Sequence, residues 1–197
     1  MRRTFSRLAA LVCTVAVSAC VDSRPPWHLD SVEGHLPDLA FHLTSDDGKN
    51  VTEKDFAGKV DLLYFGYTHC PDVCPLTLAR LHAALERLGS AADHVRVLFV
   101  SVDPARDTPS ALRKYVQAFD PHVTGLTGTS TEIETLAKRY RAAFDRASPK
   151  SEGNYEVSHS SFVYVFDRLG RARLLATSGE SVDAIAHDLR LLLQENP

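Results

Sequence analysis

The chain has little sulfur to distribute. Its only methionine is Met1, and its four cysteines stand at positions 13, 20, 70 and 74. A methionine-rich metal-binding tract is thereby excluded, and so is a disulfide-stapled scaffold, which needs several well-separated pairs. There is also no Lys/Arg-rich run: 22 basic residues face 25 acidic ones, for a net charge of −3. Arg2, Arg3 and Arg7 all lie in the first seven positions, so taking those three positive charges away moves the remainder from −3 to −6. Phosphate binding needs clustered positive charge, and nucleic acid is set aside as a partner. No apolar run approaches the ~20 residues of a bilayer-spanning helix. What remains, 44% hydrophobic and 24% charged residues, is the composition of one folded globular domain.

Residues 1–19 read as a bacterial export signal. Three arginines precede an apolar run from Leu8 to Val17, about the length of a signal-peptide core and too short to span a bilayer. The run ends in Val17-Ser18-Ala19-Cys20, which resembles the lipobox of bacterial lipoproteins, where cleavage precedes a cysteine whose sulfur carries diacylglycerol. Ordinary cleavage would instead leave Cys20 as a free thiol, a liability in an exported chain. The expectation is therefore a lipoprotein in the bacterial cell envelope, anchored to a membrane through Cys20 and facing the periplasm. Val21 follows the cysteine, so nothing resembles the usual inner-membrane retention signal. Cys13 leaves with the leader and Cys20 is consumed by lipid. Only Cys70 and Cys74 are left, and a pair four residues apart closes too small a loop to stabilise a domain.

Residues 20–36 carry Pro25, Pro26 and Gly34 with no apolar periodicity, and read as a lipidated tether ahead of a domain at 37–197. From there strand and helix patterns alternate. Leu39 to Leu43 and Val51 flank the turn signal Asp46-Asp47-Gly48, which suggests a hairpin. Val60 to Tyr67 and Val95 to Val102 are nearly continuous apolar runs, as expected of strands buried on both faces. After Cys74-Pro75, Leu78, Leu81, Leu85 and Leu88 mark a helix. Thr108-Pro109 looks like a cap and first helical residue, Val123 to Leu126 a short strand, and Ser130-Thr131 the opening of a third helix. Residues 146–154 read as a loop. Asp167 to Gly170 turns a second hairpin, and Ser181 caps a last helix. A hairpin, two strand–helix units and a closing strand–strand–helix give an α/β, three-layer sandwich. With a cysteine pair between a buried strand and a helix, that order is thioredoxin-like with an N-terminal β-hairpin extension.

The segment Tyr64-Phe65-Gly66-Tyr67-Thr68-His69-Cys70-Pro71-Asp72-Val73-Cys74-Pro75 holds the chemistry. A helix N-terminus favours the thiolate, which is both nucleophile and metal ligand. Redox thioredoxins space their cysteines C-x-x-C; here three residues intervene, which puts both sulfurs on one side of a turn. Two soft thiolates and a third ligand suit Cu(I), and less selectively Zn. Of nine histidines, His159 stands at the entry of a strand, where such a fold brings a loop against the cysteine pair. His69 adjoins Cys70 but is expected to point away. His28, His35, His42, His82, His94, His122 and His187 have no motif context. Asp72 either contacts metal or partner or simply favours the helix N-terminus; Asp103 is expected near the site, Asp107 in the turn into the next helix, and Arg106 in a local pair or against a partner.

The run from Tyr64 to Pro75, then Ser101-Val102-Asp103-Pro104-Ala105-Arg106-Asp107-Thr108-Pro109, Gly125 to Gly128 and Tyr155 to Ser160, in that order, resembles the Sco/SenC family over residues 37–195. The resemblance implies a membrane-anchored, thioredoxin-fold copper protein that assists assembly of the dinuclear copper site of cytochrome c oxidase. It implies Cys70, Cys74 and His159 as ligands for copper, as Cu(I) with Cu(II) left open. Its partners would be the copper-bearing oxidase subunit, with other periplasmic copper or thiol-redox proteins as further candidates. The family often has Asp before the histidine; Ser158 stands there, so a carboxylate that could orient the imidazole is missing. Two functions compete with copper delivery. One is thiol–disulfide exchange, with Cys70 and Cys74 as a redox pair that reduces the cysteines of the acceptor site. The other is a thiol peroxidase, which gives His159 no role.

Overall fold

A computed structural model describes residues 27–146, 155 and 157–195. The leader, Cys20, the first part of the tether and residues 147–154 of the loop lie outside the described residues. An eight-stranded sheet runs in the order β1-β10-β9-β4-β5-β6-β2-β3. Its centre is β4 (Val60–Gly66), β5 (Val95–Ser101) and β6 (Val123–Thr127), paired in parallel. All of β4 is buried, as its unbroken apolar run requires. β2 (His42–Ser45) and β3 (Asn50–Thr52) form the expected first hairpin and join the sheet at β6. β9 (Val163–Phe166) and β10 (Ala172–Ala176) form the second, antiparallel to the other side of β4.

Helices cover both faces. α1 (Val73–Leu88) packs on α4 (Val182–Gln194), and α2 (Pro109–Gln117) lies over the same face, where Tyr115 meets Phe99 with ring centroids 5.5 Å apart. α3 (Ser130–Arg139) takes the opposite face, where Tyr140 at its end packs against Tyr164 and Phe166. The starts follow the cap signals. The Thr108 side chain accepts from the Ala111 N–H ahead of Pro109, and Ser181 accepts from Ala184. The third helix is capped one residue earlier than Ser130, by Thr129, in a reciprocal box with Glu132.

Two features differ from the expectation. The fold begins before residue 37. β1 (Asp30–Ser31) pairs with β10, Leu29 is buried, and the Asp188 carboxylate accepts the backbone N–H groups of His28 and Leu29 at 2.9 and 2.8 Å. Residues 27–36, read as tether, are thus part of the domain. Leu29 is buried and Trp27, Val32 and Leu36 pack against the core, but the pairing with β10 is only two residues long, too short for a strand pattern to show. The second feature is a separate two-stranded sheet, β7 (Phe144–Arg146) with β8 (Val157–His159), paired Phe144 to His159.

Candidate metal centre

Cys70 ends the loop after β4, and Cys74 is the second residue of α1. The Asp72 side chain makes no cap bond; the Cys70 sulfur instead accepts the Cys74 N–H at 3.4 Å. One of the first-turn donors that every helix leaves open is thereby satisfied by a ligand atom. The loop is held from beneath. Asp107 is fully buried, and its carboxylate accepts the Thr68 N–H at 2.9 Å, the Thr68 hydroxyl at 2.6 Å and the Ser101 hydroxyl at 2.6 Å. Beyond shaping its own turn, Asp107 therefore fastens the cysteine loop to the end of β5.

His159 arrives on β8. Its Nε2 lies 3.2 Å from the Cys74 sulfur, and its Nδ1 lies 3.0 Å from the Ser160 carbonyl oxygen. A carbonyl can only accept, so the neutral ring carries its proton on Nδ1 and turns the Nε2 lone pair toward the sulfurs. One ligand atom each from Cys70, Cys74 and His159 lie within 4.8 Å of one another. Both cysteines are free thiols. The ring is packed edge-on by Tyr67 and Tyr64, with centroids 5.8 and 6.1 Å away. Burial lowers the His159 pKa, partly opposed by the Ser160 carbonyl, so the imidazole is neutral and ready to ligate at neutral pH.

The electrostatics of Cys74 overturn the expectation of a thiolate pair. Its side chain has no exposure, and burial pushes the thiol up to about 12 despite the Tyr64 hydroxyl beside it. At this sulfur the desolvation of the charged form outweighs the helix dipole. A metal cation reverses that balance, because a coordinating thiol is deprotonated outright. The arrangement stores a proton that a soft cation displaces. In the reduced protein at pH 8 we therefore expect iodoacetamide to modify Cys70, which keeps 9% exposure, and to leave Cys74 untouched until unfolding. Peptide mass spectrometry after a short pulse reads this, and equal labelling of the two would refute it.

A second layer braces the histidine strand. Asp103 is buried at the end of β5, as near the site as expected, and it takes the Tyr155 hydroxyl on one oxygen and the Arg106 Nε on the other. The Arg106 guanidinium lies 3.7 Å over the Tyr155 ring and 5.8 Å from that of Tyr67. Arg106 is thus in the local pair expected, and that pair reaches the ring that packs on His159. Tyr67 also accepts the Val157 N–H at 3.4 Å. Tyr155 and Tyr67 carried no assignment from sequence. Their signal is position alone, four residues before His159 and three before Cys70.

Ser158 is exposed and Asp72 is exposed, so neither adds a carboxylate to the centre. His69 points away, its Nδ1 on the Thr68 hydroxyl at 3.0 Å. His82 and His122 share Asp120, each at 2.6 Å. Val73 and Leu76, on the first turn of α1 beside the cysteines, are exposed apolar side chains at 40% and 59%.

The SCO1/SenC family model matches residues 33–194. The mitochondrial protein SCO2 of Saccharomyces cerevisiae is 42% identical over 134 residues, which cover 66% of this chain and 44% of that protein. The chain spans about half the length of the curated relatives it matches. Among solved structures, copper-bound ScoI of Bradyrhizobium japonicum superposes with a TM-score of 0.72 at 39% identity, covering 79% of this chain and 99% of that one. BsSco, described as having a disulfide switch and as a member of a family of cytochrome c oxidase assembly proteins, gives a TM-score of 0.65 at 26% identity, covering 85% and 98%. The thioredoxin-like architecture is therefore that of known Sco structures.

Proposed function

The chain belongs to the SCO1/SenC family, and from that membership we propose that it is a copper chaperone whose cargo is held by Cys70, Cys74 and His159. The observation that carries the reading is the 3.2 Å approach of the His159 Nε2 to the Cys74 sulfur, with Nδ1 committed to the Ser160 carbonyl. Two sulfurs and one imidazole form a soft, three-membered donor set of the kind Cu(I) prefers. Capture releases the Cys74 proton, and delivery returns it. The acceptor is the dinuclear copper site of cytochrome c oxidase, and the apolar collar of Val73 and Leu76 gives the acceptor a surface beside the cargo. Anchoring through a lipid on Cys20 would hold the domain at a periplasmic membrane face, where such an acceptor is embedded.

The alternative, reduction of the acceptor's cysteines by Cys70 and Cys74, is favoured by one observation: the two sulfurs adjoin each other at a helix N-terminus, with Cys70 retaining some exposure. Against it stands Cys74, which is inaccessible and protonated, a poor attacking group. Metal analysis decides. Protein purified reduced should take up about one Cu(I), and the same protein with a verified disulfide essentially none, because ligating thiols must be free to deprotonate. Cys70→Ser/Cys74→Ser should also bind no Cu(I). Full loading of the disulfide form with Cu(I) would overturn the proposal. For the anchor, Cys20→Ala should leave unprocessed or mislocalised precursor; normal maturation with membrane fractionation would show that Cys20 carries no lipid.

A further inference from the structure

We propose that His28 and His187, oriented by Asp188, form a second metal site, for a divalent transition-metal ion, Cu(II) ahead of Zn(II). Apart from the cysteine centre, these three are the one group of His, Cys, Asp or Glu among the described residues that offers one possible ligand atom each within 4.8 Å of one another. Asp188 is fully buried on α4, and one of its oxygens accepts the His28 and Leu29 N–H groups. Its other oxygen faces the His187 Nδ1 at 2.8 Å. A carboxylate accepts, so Nδ1 holds the proton and the His187 Nε2 keeps its lone pair. This is the carboxylate–histidine pairing that orients imidazole ligands toward metals.

His28 supplies the second imidazole. Its ring stacks on that of His187 with centroids 4.2 Å apart and planes 23° apart. Nearly parallel rings cannot aim two lone pairs at one ion. His28 is exposed, though, and the broad torsion at the end of its side chain lets the ring turn until both nitrogens converge. Asp188 pins the entering chain through backbone N–H groups that any residue would offer, so the His28 ring is not needed for that anchoring. The two imidazole nitrogens, with water to complete the set, are borderline donors. They suit Cu(II) or Zn(II) and not the Cu(I) of the thiolate centre, and Cu(II) stands above Zn(II) in intrinsic affinity. An ion here would cross-link the segment leading into β1 to α4.

The test is independent of the copper-chaperone reading, because it removes that centre. The mature protein carrying Cys70→Ser, Cys74→Ser and His159→Ala is titrated with copper(II) sulfate and with zinc chloride. We expect about one Cu(II) per chain, an electron paramagnetic resonance spectrum with hyperfine splitting from two imidazole nitrogens, and a metal-dependent rise in Tm. Adding His28→Ala, an exposed position that does not threaten the fold, should weaken Cu(II) binding by about tenfold or more and remove the rise in Tm. His187→Ala should do the same. Absence of stoichiometric Cu(II), or binding unaltered by both substitutions, would overturn the proposal.

Discussion

His159→Ala is expected to weaken Cu(I) binding by at least ~10–100-fold while leaving the rate of thiol–disulfide exchange within a few-fold of the parent protein. The lower bound follows from metal sites in which merely disturbing a partner of a ligand costs that much; here the proposed ligand itself is removed. Ser158 is exposed and offers no carboxylate to take its place. The exchange rate depends on thiolate fraction, nucleophilicity and access at the cysteines. At Cys70, the thiol that keeps some exposure, those are set by the first turn of α1 and by the Asp107 bonds beneath the loop, whereas the imidazole adjoins the inaccessible Cys74. The measurement is paired: copper competition against a chelator, and reduction of a disulfide in a model acceptor peptide. Tm must be followed too, because removing the ring uncovers the edges of Tyr64 and Tyr67. Unchanged copper binding would show that His159 is no ligand and would leave the cysteines as a redox pair. Loss of both activities together would trace instead to collapse of the loop.

The parts of this molecule legible from sequence are those set by local patterns. The unbroken run from Val60 to Gly66 marks a strand buried on both faces, and the leucine spacing after Cys74 marks α1. The caps at Thr108 and Ser181 are short-range hydrogen bonds written in residue type. The place of the cysteine pair between a buried strand and a helix, and of His159 at a strand entry, is also readable from position, and the fold brings one ligand atom of each within 4.8 Å of the others. What escaped is long-range. Asp107 and Thr68 are 39 residues apart, and Tyr155 and Asp103 are 52 apart. Nothing local distinguishes such a carboxylate from one that merely shapes a turn. Three-residue strands such as β7 and β8 are too short to show the repeated alternation by which a strand is recognised. The state of Cys74 is hidden from the sequence for a related reason. Its helix position is visible in the sequence, whereas the desolvation that dominates its pKa comes from the sheet packed around it.

Gly66 shows how tightly that sheet is fitted to the sulfur, and Gly66→Ala is expected to cost about 1–3 kcal/mol of stability and to weaken copper binding more than tenfold. The glycine has no unusual backbone torsion to protect; the constraint is space. A Cβ built there would stand 2.6 Å from the Phe99 Cε2 and 2.8 Å from the Cys74 sulfur. Phe99 cannot retreat, being fully buried between Tyr64 and Tyr115 with centroids 5.9 and 5.5 Å away. The sulfur must therefore shift, and with it the geometry it shares with Cys70 and His159. Glycine in a strand commonly marks such a close approach of another group to the backbone. Gly125→Ala supplies the control. Its Cβ would press on the Leu112 Cβ at 3.0 Å and the Asp46 Cβ at 3.3 Å, contacts that involve no sulfur, so it should lower Tm but preserve copper affinity. Phe99→Leu in the Gly66→Ala background removes the ring atoms that close the space and should recover part of both losses. Gly66→Ala with parental copper affinity would mean that the centre tolerates displacement of the Cys74 sulfur, and that the fit between β4 and α1 serves the core alone.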